Sequence, residues 1–461
     1  MSPMPAQPIS PLDGRYRPAV TELGEFLSEA GLNRARVRVE VEWLIYLTSH
    51  EMFGSRRLST EQTHALRQLV TEFGQEEIDE LGVLEATTRH DVKAVEYLVR
   101  RKLAALGLGD VAELTHFACT SEDINNLSYA LTIGTAVREV WLPKLRALIA
   151  VLRERAVAHR DDAMLAHTHG QPATPTTVGK EFAVFVGRLE RVLAQIEATE
   201  YLGKFSGATG TFAAHVVADG EVDWPAVSRE FVTSLGLDWN PLTTQIEPHD
   251  WQAELYSRIS HVNRILHNLC TDAWTYISMG YFTQIPQAGA TGSSTMPHKI
   301  NPIRFENAEA NFELSSALLE SLAATLVTSR LQRDLTDSTT QRNVGVAIGH
   351  SLLALDNLTR GLGEINVDTD ALLADLDGNW EILGEAIQTV IRAEVTAGRS
   401  SIADPYALLK ELTRGKRIGQ PELVAFIDGL DIGDEAKDRL RVLTPAAYTG
   451  VASALVDHIL R

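Results

Sequence analysis

Cysteine is nearly missing from this chain of 461 residues: Cys119 and Cys270 are the only two. That excludes a disulfide-built scaffold and a thiolate metal cage, and it fits a reducing compartment. Basic residues are also scarce, with 42 Lys and Arg against 61 Asp and Glu and a formal net charge of −19. Such a surface repels phosphate backbones and anionic lipids, so neither nucleic acid nor membrane is an expected partner. A small anionic substrate can still bind in a locally basic pocket. No stretch of about 18 apolar residues occurs, and the opening MSPMPAQPISPLDGRYR lacks the charged start and apolar run of a signal peptide. A cytoplasmic protein is therefore expected. Internal repeats and low-complexity tracts are absent as well.

Helical periodicity dominates what is there, and alternating strand patterns are nearly lacking. From Trp251 to Tyr281 the apolar positions Leu255, Ile259, Val262, Leu266, Leu269 and Ala273 step by fours and threes, forming one stripe of a helix. Similar stripes run through Trp141 to Leu152, Phe182 to Ile196, Phe312 to Leu322 and Ile348 to Leu362. The reading is all-α: a three-domain subunit with a central bundle of five long helices. Residues 1–110 read as an amino-terminal domain of shorter helical pieces, broken by Gly54, Gly74, Gly82, Gly107 and Gly109. Residues 111–364 form the bundle and 365–461 a small carboxy-terminal helical domain, with breaks at Asp404-Pro405 and Gly419-Gln420-Pro421. Several long helices carry two apolar faces, as Trp274, Ile277 and Met279 show, and one bundle cannot bury both, so oligomerisation is expected.

Within the bundle, residues 283–303 stand apart: rich in Gly, Pro, Ser and Thr, with Gly289 and Gly292 beside Ser293, Ser294, His298, Lys299 and Asn301. A long loop between helices that carries reactive side chains reads as an active-site lid. Other segments are individually modest. Arg15 and Tyr16 in SPLDGRY offer an anion and ring contact, or are a surface turn with a salt-bridged arginine, and Arg89-His90-Asp91 can meet an anion or shuttle a proton, or is a paired surface histidine. His116 precedes Thr120 and Ser121, a helix start whose free N–H groups suit a carboxylate, although on this segment alone a simple N-cap is the favoured reading. His167 and His169 could chelate zinc, but no third ligand accompanies them, so a general acid or base fits better. Arg333, Ser338 and Arg342 could ring a phosphate, or could be a solvated helix start with paired charges. An elimination on a polyanionic substrate uses all of these: a base, donors for the new charge, and an acid for the leaving group.

The stretch Gly292 to Pro302, GSSTMPHKINP, resembles the signature of the fumarase and aspartase superfamily, whose members eliminate fumarate from succinyl compounds. With SPLDGRY, TRHDVKAVEY, HFACTSEDINNLS, THGQPATP, TTQIEPHD and QRDLTDS, the likeness runs from about Ser10 to near the carboxy terminus. His298 and the HDVKAVE segment favour the branch that cleaves succinylated purine nucleotides over fumarase or argininosuccinate lyase. The resemblance implies a homotetramer with active sites drawn from three subunits, no metal and no organic cofactor. The implied reactions release fumarate from adenylosuccinate, leaving AMP, and from SAICAR, leaving AICAR.

Position by position, Ser293 matches the family's base, with Ser294 beside it as the alternative. Lys299 and Asn301 match groups that stabilise the developing negative charge. His169 matches the general acid, and Glu306 the carboxylate that orients such a histidine. Thr120 and Ser121 match succinyl carboxylate contacts, and His90, Asp91 and His116 match other active-site positions. Arg15, Tyr16, Arg89, Arg333, Ser338 and Arg342 match phosphate, ribose or base contacts, and Gln245 a substrate-binding glutamine. One departure is visible: where members often carry Arg before Thr-His-Gly, this chain has Ala166 and His167. Another fumarate-releasing lyase, such as one acting on argininosuccinate, is the runner-up among enzymes, and a non-catalytic relative is the competing reading of a different class. Against the latter, Ser293, Lys299, Asn301, His169 and Glu306 together serve no purely structural need.

Overall fold

The structure, a computed structural model, describes residues 8–286, 296, 299–413 and 418–460, without the side chains of 411–413. Its elements are overwhelmingly helical. In chain order they are α1 (Arg17–Leu27), α2 (Glu29–Ser49), α3 (Thr60–Thr71), α4 (Gln75–Thr88), α5 (Asp91–Ala105), α6 (Ser121–Thr135) and α7 (Leu142–Ala158). A hairpin of β1 (Ala163–Thr168) and β2 (Gln171–Thr177) follows, then α8 (Val178–Glu197), α9 (Ala213–Ala218), α10 (Trp224–Ser234), α11 (Asp250–Ser278), α12 (Ile303–Leu326), α13 (Thr336–Gln341) and α14 (Val344–Gly363). Shorter helices between Thr369 and Leu455 complete the chain. Among the described residues no helix is long and apolar enough to cross a membrane.

All five expected long helices are present, as α7, α8, α11, α12 and α14. Two details differ from the sequence reading. α2 is a single helix of 21 residues rather than a short piece, and Gly82 lies inside α4 without breaking it. No Gly or Pro interrupts residues 32–49, so nothing stops α2 once Ser28 has capped it by accepting from Gly31 N–H.

The chain divides into two compact units, one of residues 1–146, 192–267 and 308–356, the other of 147–191, 268–307 and 357–461. In the first, Trp43 packs edge-on against Phe205 and tilted on Phe231, with ring centroids 4.6 and 4.9 Å away. Where its long helices bury polar side chains, they satisfy one another. Trp141 Nε1 donates to Ser351 Oγ (2.9 Å), Ser351 to Asn263 Oδ1 (2.7 Å), and Asn263 Nδ2 to Ser315 Oγ (3.0 Å). Such a chain fixes the helices axially without leaving an unpaired buried group.

In the second unit, Gly179 at the start of α8 lies so near residues 156–160 that a Cβ would come within 2.3 Å of Ala156 O. Its N–H uses that approach to donate to His159 O at 2.8 Å. β1 and β2 pair antiparallel, with Thr168 opposite Gln171, His167 opposite Pro172 and an irregularity between Met164 and Ala166. A separate apolar cluster built on Leu383, Ile391, Leu423 and Ile427 organises the carboxy-terminal helices.

Candidate active site

Three helix starts and the α2 core organise the candidate residues of the first unit. At the start of α6, Asp123 reaches back to accept from Thr120 N–H at 2.8 Å. Its carboxylate also accepts from the N–H groups of Ser206 (2.8 Å) and Gly207 (3.1 Å), and it pairs with the fully buried Lys204 at 2.8 Å. Thr120 and Ser121 are thereby set at the tip of a helix whose free N–H groups and dipole favour an anion.

His90 caps α5, its Nδ1 accepting from Lys93 N–H at 3.3 Å. That leaves the proton of the neutral ring on Nε2, which lies 3.4 Å from Ser121 Oγ, so the structure brings His90 and Ser121 together. Asp91, next in sequence, is held by Arg36 and Arg342, each at 2.8 Å. Burial alone would raise its pKa; the Arg36 charge, the Val92 N–H and Arg342 outweigh that and hold it below the usual carboxylate range.

Arg342 also pairs with both oxygens of Glu29 (2.7 and 2.6 Å). Arg333 meets Glu122 at 2.9 Å and donates to Gln245 Oε1 at 3.5 Å, while Gln245 Nε2 donates to Ala208 O. Ser338, half-buried on α13, is set by its N–H donating to Asp337 Oδ1. Arg15 stacks 5.9 Å from the ring of Tyr16, and Arg89 is exposed at the left-handed end of α4.

Sequence reasoning missed the residues that connect these groups. Arg36, 1% exposed, donates to Asn33, Asn125 and Asp91. Asn125 in turn donates to Glu122, the partner of Arg333, so one connected chain of ion pairs and hydrogen bonds runs from Arg333 to Arg342 through the buried Arg36. Burial raises the pKa of Glu122 against the pull of Arg333 and Asn125. Glu40 holds His116, and His249, buried with φ +65°, contacts Gln341 and donates its N–H to Glu247. The available signal was charge placed inside an apolar helix: Arg36 and Glu40 sit one turn apart in ARVRVEVEW.

In the second unit, His169 forms the tip of the β1–β2 hairpin with Gly170. Both have positive φ (55° and 71°), the requirement of the two-residue turn that matches strand twist. Gly170 adopts this freely, whereas His169 does so at a cost, which makes it a strained, exposed side chain on a short rigid support. Glu306, in the first turn of α12, accepts from the Trp274 indole at 3.2 Å, and no hydrogen bond or ion pair joins it to His169 within one chain. Lys299 is exposed and Asn301 half-buried just before α12. Ser293, Ser294 and His298, with Gly289 and Gly292, lie outside the described residues.

The resulting inventory is helix-terminal anion sites, paired arginines and an exposed histidine on a turn. A family model described as Lyase matches residues 14–312. The fold is that of the fumarate lyase from Mesorhizobium sp. BNC1 (TM-score 0.75, 20% identity, 95% of this chain and 97% of that one). It is equally that of the 3-carboxy-cis,cis-muconate lactonizing enzyme from Pseudomonas putida (TM-score 0.73, 20% identity, 95% and 96%). Fold and sequence signature thus define a lyase of the fumarase and aspartase superfamily.

A second model, Adenylosuccinate lyase C-terminal, matches residues 329–449. The chain is 49% identical over 453 residues to the adenylosuccinate lyase of Escherichia coli (strain K12), covering 98% of both chains. It is 47% identical over 454 residues to that of Vibrio cholerae, again 98% of both. The chain belongs to the adenylosuccinate lyase family.

Proposed function

We propose that this enzyme catalyses β-elimination of fumarate from adenylosuccinate, giving AMP, and from SAICAR, giving AICAR. The observation that carries the reading is near-full-length identity of 47–49% to adenylosuccinate lyases in a chain that keeps the signature GSSTMPHKINP. Ser293 takes the proton from the carbon beside the succinyl carboxylate, with Ser294 its alternative. The electrons left behind spread into that carboxylate as a dianion, which Lys299, Asn301 and the N–H groups behind Thr120 and Ser121 stabilise. Collapse of the dianion breaks the C–N bond, and His169, oriented by Glu306, protonates the departing nitrogen.

A serine hydroxyl is a weak base, so water exclusion by a closed loop and the charge of Lys299 must favour the alkoxide. Arg15, Tyr16, Arg89, His90, Asp91, Gln245, Arg333, Ser338 and Arg342 bind the nucleotide. The same reading makes the enzyme a cytoplasmic homotetramer that pools site residues from different copies, with domains of 1–110, 111–364 and 365–461.

The test is to mix the protein, with chelator and no added metal, with adenylosuccinate and follow fumarate and AMP by NMR. Equal appearance of both supports the assignment. Turnover of argininosuccinate instead would keep the elimination chemistry and overturn the substrate. Ser293→Ala and His169→Ala should each bind yet barely turn over, and mixing the two should restore activity if the residues come from different chains.

A further inference from the structure

The segment leading to the α6 start is unusually constrained. His116 and Ala118 both have φ +57°, a left-handed conformation that is costly for a non-glycine residue and persists only where the surroundings enforce it. The enforcement comes from α2. Trp43 Nε1 donates to Phe117 O at 3.1 Å. One turn earlier Glu40, fully buried, accepts twice from His116: from its backbone N–H at 3.0 Å and from ring Nδ1 at 2.6 Å. One carboxylate thus fixes both the backbone and the ring of the same strained residue. With Nδ1 engaged, Nε2 is the ring nitrogen left to meet a ligand.

We propose that Glu40 is a positioning residue for the lyase reaction, pinning His116 as a Nδ1–H donor so that its Nε2–H is offered to an anionic group of the substrate next to Thr120 and Ser121. The proposal rests on the lyase reading above and deepens it, giving His116 the role of a held cationic donor. The charged groups around the ring agree. Glu40 on α2, Glu96 on α5 and Asp123 on α6 all favour the imidazolium. Glu96 is itself paired with Lys93 (2.7 Å) and Arg100 (3.7 Å), and Asp123 with Lys204 (2.8 Å). Burial works against the charged ring, and Glu40 outweighs it, so the pKa of His116 lies above the ordinary histidine value. The cation therefore persists to higher pH than in a free histidine and is lost as pH rises through that raised value.

The experiment uses the full-length enzyme labelled with [13Cε1]histidine, the His116 signal being assigned by its loss in His116→Asn, since asparagine tolerates the left-handed backbone. In the parent, His116 should titrate above the ordinary value of about 6.5; titration at or below it overturns the proposal without any substrate, and whether or not Glu40→Gln folds. In Glu40→Gln the titration should fall. Loss of a charge-assisted hydrogen bond should lower kcat/KM for adenylosuccinate roughly 10- to 100-fold at pH 8, with a smaller deficit at pH 6, where more of the variant's ring is protonated. In the His116→Asn background Glu40→Gln should have little further effect on kcat/KM. A folded Glu40→Gln enzyme with unchanged kcat/KM, or with the same loss at both pH values, overturns the role of Glu40. Absence of turnover in the parent refutes the substrate assignment, and the titration still decides the His116–Glu40 pairing.

Discussion

Lys204→Met and Asp123→Asn probe the most deeply buried ion pair of the site. Lys204 and Asp123 are 0% and 1% exposed, and their 2.8 Å contact sits directly under the Thr120–Ser121 helix start. Breaking a buried pair from one side costs about 3–5 kcal/mol. For Lys204→Met the lower end, about 3 kcal/mol, is expected, because the N–H groups of Thr120, Ser206 and Gly207 continue to face the carboxylate. Asp123→Asn is worse. Its amide nitrogen must point at backbone donors, each unsatisfied buried donor costing about 1–3 kcal/mol, and Lys204 is left charged with only Gly207 O at 2.7 Å, for a total near 5 kcal/mol. The double variant removes the stranded charge, so it should cost less than the sum by about 2–3 kcal/mol. Urea unfolding followed by circular dichroism at fixed protein concentration, pH 7, measures all three. A single-variant cost under about 1 kcal/mol, or a double variant equal to the sum within about 0.5 kcal/mol, would refute the view that this pair sustains the helix start.

Asp91→Asn should lower the urea midpoint at pH 7. Because the folded pKa of Asp91 is depressed, its contribution is full above the unfolded value of about 3.9 and disappears as pH falls through the lower folded value, so the difference from the parent should shrink in acid. Gly170→Ala, at φ +71°, should cost on the order of 1–2 kcal/mol in thermal unfolding and lower kcat more than it raises KM, because the turn aims His169. An unchanged kcat would detach the hairpin tip from the chemistry. Glu29→Gln releases Arg342 from an exposed carboxylate; steady-state kinetics should show KM for adenylosuccinate falling, by at most about fivefold given the worth of such pairs, and an increase in KM would remove Arg342 from phosphate binding.

The long helices were legible because an apolar stripe is a local property: each of α7, α8, α11, α12 and α14 spells its own period. The β1–β2 hairpin was not. Its strands are short, Pro172 and Pro175 interrupt the second, and no apolar alternation marks either; only the His169-Gly170 pair carries a turn signal. For α2 the local signal points the wrong way. Arg36, Arg38, Glu40 and Glu42 alternate with valines as a strand would, yet the segment is helical because most of its residues are enclosed and its charges find partners.

Those partners also explain the division within the site. Groups that would touch substrate lie in compact segments such as SPLDGRY, TRHD and TSED, whose residue types suggest chemistry by themselves. The groups that hold them do not. Arg36 meets Asp91 and Asn125 across 55 and 89 positions, and Glu40 meets His116 across 76. A charge in an apolar helix announces that it needs a partner without saying which one. Arg36 therefore became readable only when α2, α5 and α6 were placed together, and with it the reason Asp91 can hold Arg342 while remaining ionised. The substrate-facing chemistry of this enzyme is written in short motifs; its geometry is written in buried charges whose counterparts lie far along the chain.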